Sequence, residues 1–393
     1  MTLTVRNAGQ VLRPPEDGLP YLRDPNALTL QPGAVTVRDG VIAAFEDDPG
    51  ADVIIDAAGG AVLPGFVDCH THLPFAGWRA QEYEQKVTGV PYEEISRAGG
   101  GIASSARALA KASDYEVLAQ ARAIRAEMLR LGTTTVEGKT GYGLSVEGEL
   151  RSVELGRALE LDRVTGLFAH AVPPGRTAAD WMDEVDRLAA QADVDALDIY
   201  VESVAFSNDD LARLGEIAQR EAVPLRAHVE QFNANRSVPV ALDAKARSVD
   251  HLACLHPDDL QPLARAECAA VLLPGAEFMG AEHLPPARAL ADARAICVLA
   301  TDCNPGTSPV ASMPVIIGLA VRRYGWSVRE ALAAATLNAA WVLGLHAERG
   351  SLEVGKRADL IVLDGPAEHV PYRFGHDPVR AVIQAGEVVW QRA

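Results

Sequence analysis

From about Leu63 to Leu345 the sequence repeats one texture eight times, a short apolar run followed by a longer stretch. The runs are AVLPGFVDCH, GTTTVEGK, RVTGLFAHAV, LDIYVESV, VPLRAHVE, RSVDHLA, AAVLLPG and AICVLATD. Runs this apolar predict strands covered on both faces, as in a parallel sheet. Parallel neighbours need crossovers, and most of the intervening stretches carry helical patterns. Tyr115 to Leu131 reads as one helix, closed by Gly132 as its C-cap. Asn208 to Glu221 reads as another, with Asn208 as the cap and acidic residues in the first turn. Eight strand–helix units predict a (β/α)8 barrel.

The two ends have a different texture. AVTVRDGVIAAFED places Asp39-Gly40 between two β-prone runs, a strong hairpin signal. Near the C-terminus, ADLIVLDG and AVIQAGEVVWQRA are again short strands interrupted by Gly. Residues 1–62 and 351–393 are therefore expected to form one small composite β-sandwich domain, and residues 63–350 the barrel. A length of 393 residues suits a large domain plus a small one.

Composition narrows the partners. Lys and Arg total 36 against 53 Asp and Glu, a net charge of −17, which argues against nucleic acid or an anionic membrane. A small-molecule substrate is expected, and an anionic one would need a local Arg or Lys clamp. Cys69, Cys254, Cys268, Cys297 and Cys303 show no CxxC spacing and read as free thiols in a reducing compartment. MTLTVRNAGQ lacks a basic segment leading into an apolar one, and no run is long enough to cross a bilayer. A cytoplasmic protein is expected, with a symmetric homodimer as the ordinary assembly.

In such barrels, reacting groups project from the C-terminal ends of the strands. Five of the ten His lie at or near those ends: His70, His72, His170, His228 and His251. Asp302 closes the eighth run. Residues two apart on a strand share a face, so His70 and His72 can reach one ion. A lone HxH is a weak signal. Joined by His on runs five and six and Asp on run eight, it predicts a divalent metal site of the zinc or iron type. Lys139 belongs to run two, and run four holds no Lys to bridge two metals, so a single ion is expected. Glu137 and Glu202 read as supporting or rim carboxylates rather than ligands. Gly99-Gly100-Gly101 is not a phosphate loop, since no strand leads into it and no GK[ST] follows.

PGFVDCHTHLPFAG resembles the first-strand signature of the amidohydrolase superfamily, TDCNPGTSP its eighth-strand signature, and GKRADLIVLD the return into its small β-domain. Four segments together, HTHLPFAGWRAQEYE, GGGIASSARA, TTTVEGKTGYGL and ATDCNPGTSPVASMP, resemble the imidazolonepropionase family over nearly the whole chain. The resemblance implies one Zn or Fe ion held by His70, His72, His228 and Asp302. It implies substrate contacts from Arg79, Tyr142, His170, Gln231, Asn304, Gly306 and Thr307. It also implies hydrolytic opening of the ring of 4-imidazolone-5-propanoate to N-formimidoyl-L-glutamate, a step of histidine degradation.

The residues suit that chemistry. Asp302 would take a proton from the attacking water and pass it to the leaving ring nitrogen. His251 would hydrogen-bond the developing oxyanion or hold the water. Arg79 offers a bidentate guanidinium to a propionate. His170 could stay neutral, with one ring N–H free to donate. After His228 the reading is open: if the strand continues, Glu230 faces inward, and if the chain turns, Gln231 does. The substrate contact is assigned to Gln231. Two alternatives remain: a cytosine- or guanine-type deaminase of the same superfamily, and a barrel scaffold without catalysis.

Overall fold

The computed structural model describes residues 1–90, 94–95, 99–280 and 283–392. Ala393, the last residue of the expected C-terminal run, lies outside them. Strands β6 (Phe66–Asp68), β7 (Thr133–Lys139), β8 (Arg163–Ala169), β9 (Ala196–Val201), β10 (Leu225–Val229), β11 (Ser248–His251), β12 (Ala269–Leu272) and β13 (Ile296–Leu299) form one parallel sheet in sequence order. They correspond to the eight runs. Its two edges meet through the Thr71–Cys303 bridge, where the Asp302 amide donates to His70 O and the His72 amide to Cys303 O, both at 2.9 Å. Barrel closure therefore brings the HxH pair and Asp302 together, although they are more than 200 residues apart in the chain.

Strands β1 (Thr2–Arg13), β2 (Thr29–Arg38), β3 (Val41–Ala44), β4 (Val53–Asp56), β5 (Ala61–Pro64), β14 (Leu360–Leu363), β15 (Val379–Gln384) and β16 (Glu387–Gln391) make a second sheet from both ends of the chain. Along one edge β1 pairs with β2; along the other β4 takes Leu3 to Arg6 and β5 takes Gln10 and Val11. Leu3, Val5, Val35, Val37, Val62, Val362 and Ile383 belong to an apolar core separate from the barrel's. Asp39 and Gly40 form the expected hairpin turn, with φ of 49° and 82°.

The first run divides between the sheets. Ala61–Pro64 joins the terminal sheet and Phe66–Asp68 opens the barrel. Gly65 sits at the crossing, where a Cβ would lie 2.2 Å from Thr134 Oγ1. The expected helix at 115–131 spans Asp114–Arg130 behind a Ser113/Glu116 capping box, with Gly132 beyond it at φ 94°. The second expected helix, Asn208–Arg220, is capped by Ser207 and not Asn208. Ser207 holds the extended backbone a cap requires, while the Asn208 amide donates to Asn235 O. All five cysteines are free thiols, four of them buried. Among the described residues no helix is long and apolar enough to cross a membrane.

Candidate active site at the C-terminal ends of the barrel strands

Barrel closure brings five side chains to one place: His228 and His251 from within β10 and β11, and His70, His72 and Asp302 from just beyond β6 and β13. Ring centroids lie 4.5 Å apart for His70 and His228, 5.5 Å for His70 and His72, and 5.4 Å for His228 and His251. Asp302 Oδ1 is 3.2 Å from His72 Nε2 and 3.6 Å from His70 Nε2. Potential ligand atoms of His70, His72 and Asp302 lie within 4.8 Å of one another, as do those of His70, His228 and His251. Both His251 (φ 81°) and Asp302 (φ 54°) occupy the left-handed region, a strained geometry at the strand ends that aims their side chains inward.

The donor set fits a divalent ion. His70 Nε2 and His228 Nε2 are buried without a hydrogen-bond partner among the described residues, an expensive arrangement unless a ligand fills it. The opposite nitrogens are fixed: His70 Nδ1 lies 2.5 Å from Asp250 Oδ2, and His228 Nδ1 lies 3.0 Å from Asp198 Oδ1. Carboxylate behind imidazole is the arrangement that leaves Nε2 as a lone pair for a metal. Burial drives the pKa of His70 and His72 well below the ordinary value and that of His251 to about 3, so these imidazoles are neutral donors. Burial raises that of Asp302, a shift an adjacent cation would reverse.

Above this cluster opens a cleft of about 430 Å³ lined by Arg79, Tyr142, His170, Gln231, Asn304 and Thr307 as well as by His72, His228, His251 and Asp302 of the cluster. Gly306 lies directly against Arg79, where its missing side chain leaves room for the guanidinium; a Cβ there would be 1.9 Å from Arg79 Nη2. Of the sequence-predicted residues all but His70 and Gly306 thus line one cavity, and those two pack against residues that do, His70 against His228 and Gly306 against Arg79. Tyr200, Phe232 and Ile102 also line it and were not anticipated.

Several details refine the sequence reading. The strand ends at Val229 and Glu230 turns left-handed (φ 55°), so its carboxylate is buried against the Ser237 amide at 2.6 Å and Gln231 faces the cleft. His170 differs from expectation: its Nδ1 lies 3.0 Å from Gly141 O, which can only accept, so Nδ1 carries the proton. Burial keeps the ring neutral, and it therefore presents Nε2 to the cleft as an acceptor instead of a donor. Asn304 spends its amide on the turn, accepting from the amides of Gly306 (2.9 Å) and Thr307 (2.7 Å). Lys139 bonds Glu137 and Asp198 at 2.9 Å each, and those carboxylates outweigh burial to raise its pKa. It stays an ammonium, unsuited to carbamylation. Glu202 accepts from the Phe232 amide at 2.8 Å and stands at the rim.

Sequence reasoning missed Glu149. This fully buried carboxylate accepts from the amides of Gly141 (2.9 Å), Gly143 (2.7 Å) and Leu144 (3.0 Å), holding the loop that carries Tyr142 and the carbonyl that fixes His170. It also missed Asp198, Arg226 and Asp250. Their signal was present: Arg226/His228, Asp198/Tyr200 and Ser248/Asp250 are polar pairs two apart inside apolar strands, which points both members into the barrel.

The family model for the amidohydrolase family matches residues 61–389. Imidazolonepropionase of Rubrobacter xylanophilus is 44% identical over 86% of this chain and 84% of its own length. That of Agrobacterium fabrum is 41% identical over 90% of each. The chain belongs to the amidohydrolase family, and within it to the imidazolonepropionases. Among solved structures, guanine deaminase from C. acetobutylicum superposes with a TM-score of 0.72 at 16% identity over 99% of this chain and 100% of that one. An adenosine deaminase from Xanthomonas campestris with bound zinc gives 0.71 at 20% identity over 98% and 92%. These two share the fold.

Proposed function

We propose that this protein hydrolyses 4-imidazolone-5-propanoate to N-formimidoyl-L-glutamate in histidine degradation, using one Zn or Fe ion per subunit held by His70, His72, His228 and Asp302. The observation that carries the reading is a guanidinium, Arg79, in the same cleft as a His/Asp metal cluster, in a chain of this family. When bound, such an ion acidifies water and polarises a carbonyl. This chain's residues do the rest. Arg79 pairs with the propionate, which the net charge of −17 would otherwise repel. Tyr142 and Thr307 orient the ring, Asn304 and Gly306 shape the turn that carries Thr307 and makes room for Arg79, and His170 accepts from a ring N–H. Gln231 also contacts the ring and, as an amide, shuttles no proton. Asp302 takes the proton of the attacking water as oxygen adds to the ring carbonyl. It returns that proton to the ring nitrogen as the amide C–N bond breaks. His251 donates to the developing oxyanion.

In this reading residues 63–350, less the Leu63–Pro64 end of β5 that joins the terminal sheet, form the catalytic unit and residues 1–62 with 351–393 the flanking one. The protein acts as a cytoplasmic homodimer, which free, mostly buried thiols support for the compartment. Assay of 4-imidazolone-5-propanoate, cytosine and guanine with the wild type and Arg79→Ala tests the substrate. Turnover of the imidazolone alone, largely lost in the variant, is the expected result; imidazolone turnover preserved in Arg79→Ala would overturn the assignment.

A further inference from the structure

Barrel interiors of this kind are ordinarily filled by layers of branched apolar side chains. Beneath the His/Asp cluster this one holds charge instead: Glu137, Lys139, Asp198, Arg226 and Asp250 are each at most 1% exposed. They are joined without a gap. Starting from His70 Nδ1, the path runs to Asp250 Oδ2 (2.5 Å), which accepts from Arg226 Nη2 (2.8 Å). Arg226 Nη1 donates to Glu137 Oε1 (2.9 Å), and the same oxygen accepts from Lys139 Nζ (2.9 Å). Lys139 donates also to Asp198 Oδ2 (2.9 Å), whose Oδ1 meets His228 Nδ1 at 3.0 Å. Ser248 Oγ accepts from Arg226 Nε and donates to Asp250 Oδ1, fixing that arm further. Two imidazoles on opposite sides of the barrel are thus connected through one carboxylate oxygen.

Glu137 is the pivot of this path. It is the shared acceptor of both cations, and it reaches the HxH segment a second way, since Thr71 Oγ1 donates to its backbone carbonyl at 2.6 Å. Three carboxylates against two cations leave the interior with one excess negative charge when all are ionised, directly below a position suited to a dication. Remove the Glu137 charge and the excess vanishes. Arg226 and Lys139 are then left to compete for Asp250 and Asp198, the two groups that hold the imidazoles.

We propose that Glu137 is a positioning residue for the metal site: through Arg226–Asp250 and Lys139–Asp198 it locks the rings of His70 and His228 with Nε2 aimed at the ion, and so sets metal affinity at a site it does not touch. The inference rests on the metal-hydrolase reading above and is independent of which substrate is turned over.

The test is metal affinity of the purified full-length protein, measured by zinc competition against a chromophoric chelator, with metal content by mass spectrometry. Glu137→Gln is nearly isosteric but cannot accept from two cations with a full charge. It is expected to weaken zinc binding by about 10- to 100-fold, the range seen when groups supporting metal ligands are removed. Glu353→Gln breaks a comparable buried ion pair, with Lys356 in the terminal sheet region, and is expected to lower the melting temperature while leaving zinc affinity at the wild-type value. Arg226→Lys keeps the charge but cannot span Asp250 and Glu137 together; it gives the same loss of affinity by a second route if Glu137→Gln fails to fold. A folded Glu137→Gln or Arg226→Lys protein with wild-type zinc affinity overturns the proposal. Stoichiometric zinc in a wild type that leaves the imidazolone intact would instead overturn the substrate assignment and leave this inference standing.

Discussion

Gly306→Ala is the smallest change that should disable substrate recognition without touching a functional side chain. The added Cβ would sit 1.9 Å from Arg79 Nη2, 2.1 Å from Nε and 2.3 Å from Cζ, where a van der Waals contact needs about 3.5 Å. The Gly306 backbone does not occupy the left-handed region, so alanine is tolerated there conformationally and the strain falls wholly on the guanidinium. That group is the far end of a flexible side chain, held by Ser105 Oγ at 3.1 Å and by Glu82 at 3.4 Å, and it must swing away. Losing a hydrogen-bonded charged partner for the propionate costs about 1.5–3 kcal/mol. That corresponds to roughly a 10- to 150-fold rise in KM, because each 1.4 kcal/mol is about tenfold. Since the propionate is remote from the bond that breaks, kcat should change less than KM. Steady-state kinetics on the wild type, Gly306→Ala, Arg79→Ala and the double variant check this. Alanine at 306 acts only through Arg79, so the double variant should be no worse than Arg79→Ala alone. A wild-type KM for Gly306→Ala, or losses that simply add in the double variant, would refute the reasoning.

Other outcomes follow from the same geometry. Glu149→Gln replaces the acceptor of three loop amides with a group that presents N–H to at least one of them; KM should rise about tenfold while metal content, measured by mass spectrometry, stays stoichiometric. Removing the ion with a chelator should abolish turnover, with recovery on adding Zn or Fe(II), because it leaves His70 Nε2 and His228 Nε2 with no partner. Burial lifts the Glu277 carboxyl to about 7 from an ordinary 4.5, with the Tyr324 hydroxyl opposing the shift. Folding therefore favours the neutral acid: this stability, on the order of 3 kcal/mol, is complete below pH 4.5 and lost as pH rises through about 7. Glu277→Gln should flatten that loss in melting temperatures taken from pH 4.5 to 8.

Much of this was legible in the sequence, for a definite reason. A parallel strand covered on both faces must be apolar along its length, so the eight runs announce themselves, and polar residues at their ends stand out against that background. His70, His72, His170, His228, His251 and Asp302 were visible on those grounds, whereas the choice of His70, His72, His228 and Asp302 among them as ligands came from the family resemblance. What stayed hidden depends on backbone geometry or on partners far off in the chain. Ser207 and Asn208 are both capping residues, and only the extended backbone at Ser207 chooses between them. The proton on His170 is placed by Gly141 O, 29 residues earlier and on a neighbouring strand's loop, so its acceptor face cannot be read from the segment around it. The interior charges show the division most clearly. Alternation predicts that Glu137, Lys139, Arg226 and Asp250 point inward, because each lies two residues from another polar group in a buried strand. It does not predict that Asp250 serves His70, 180 residues away, while Asp198 serves His228. Those pairings follow from the stagger between strands around the closed sheet, where Arg226 is level with Ser248 and Asp198, and His228 with Asp250 and Tyr200. Residue type and face are thus local properties, whereas the partner of each imidazole is a property of barrel register. A one-residue slip of β10 would turn both Arg226 and His228 out of the barrel, so the register that fills the interior with charge is the same one that gathers the His/Asp cluster.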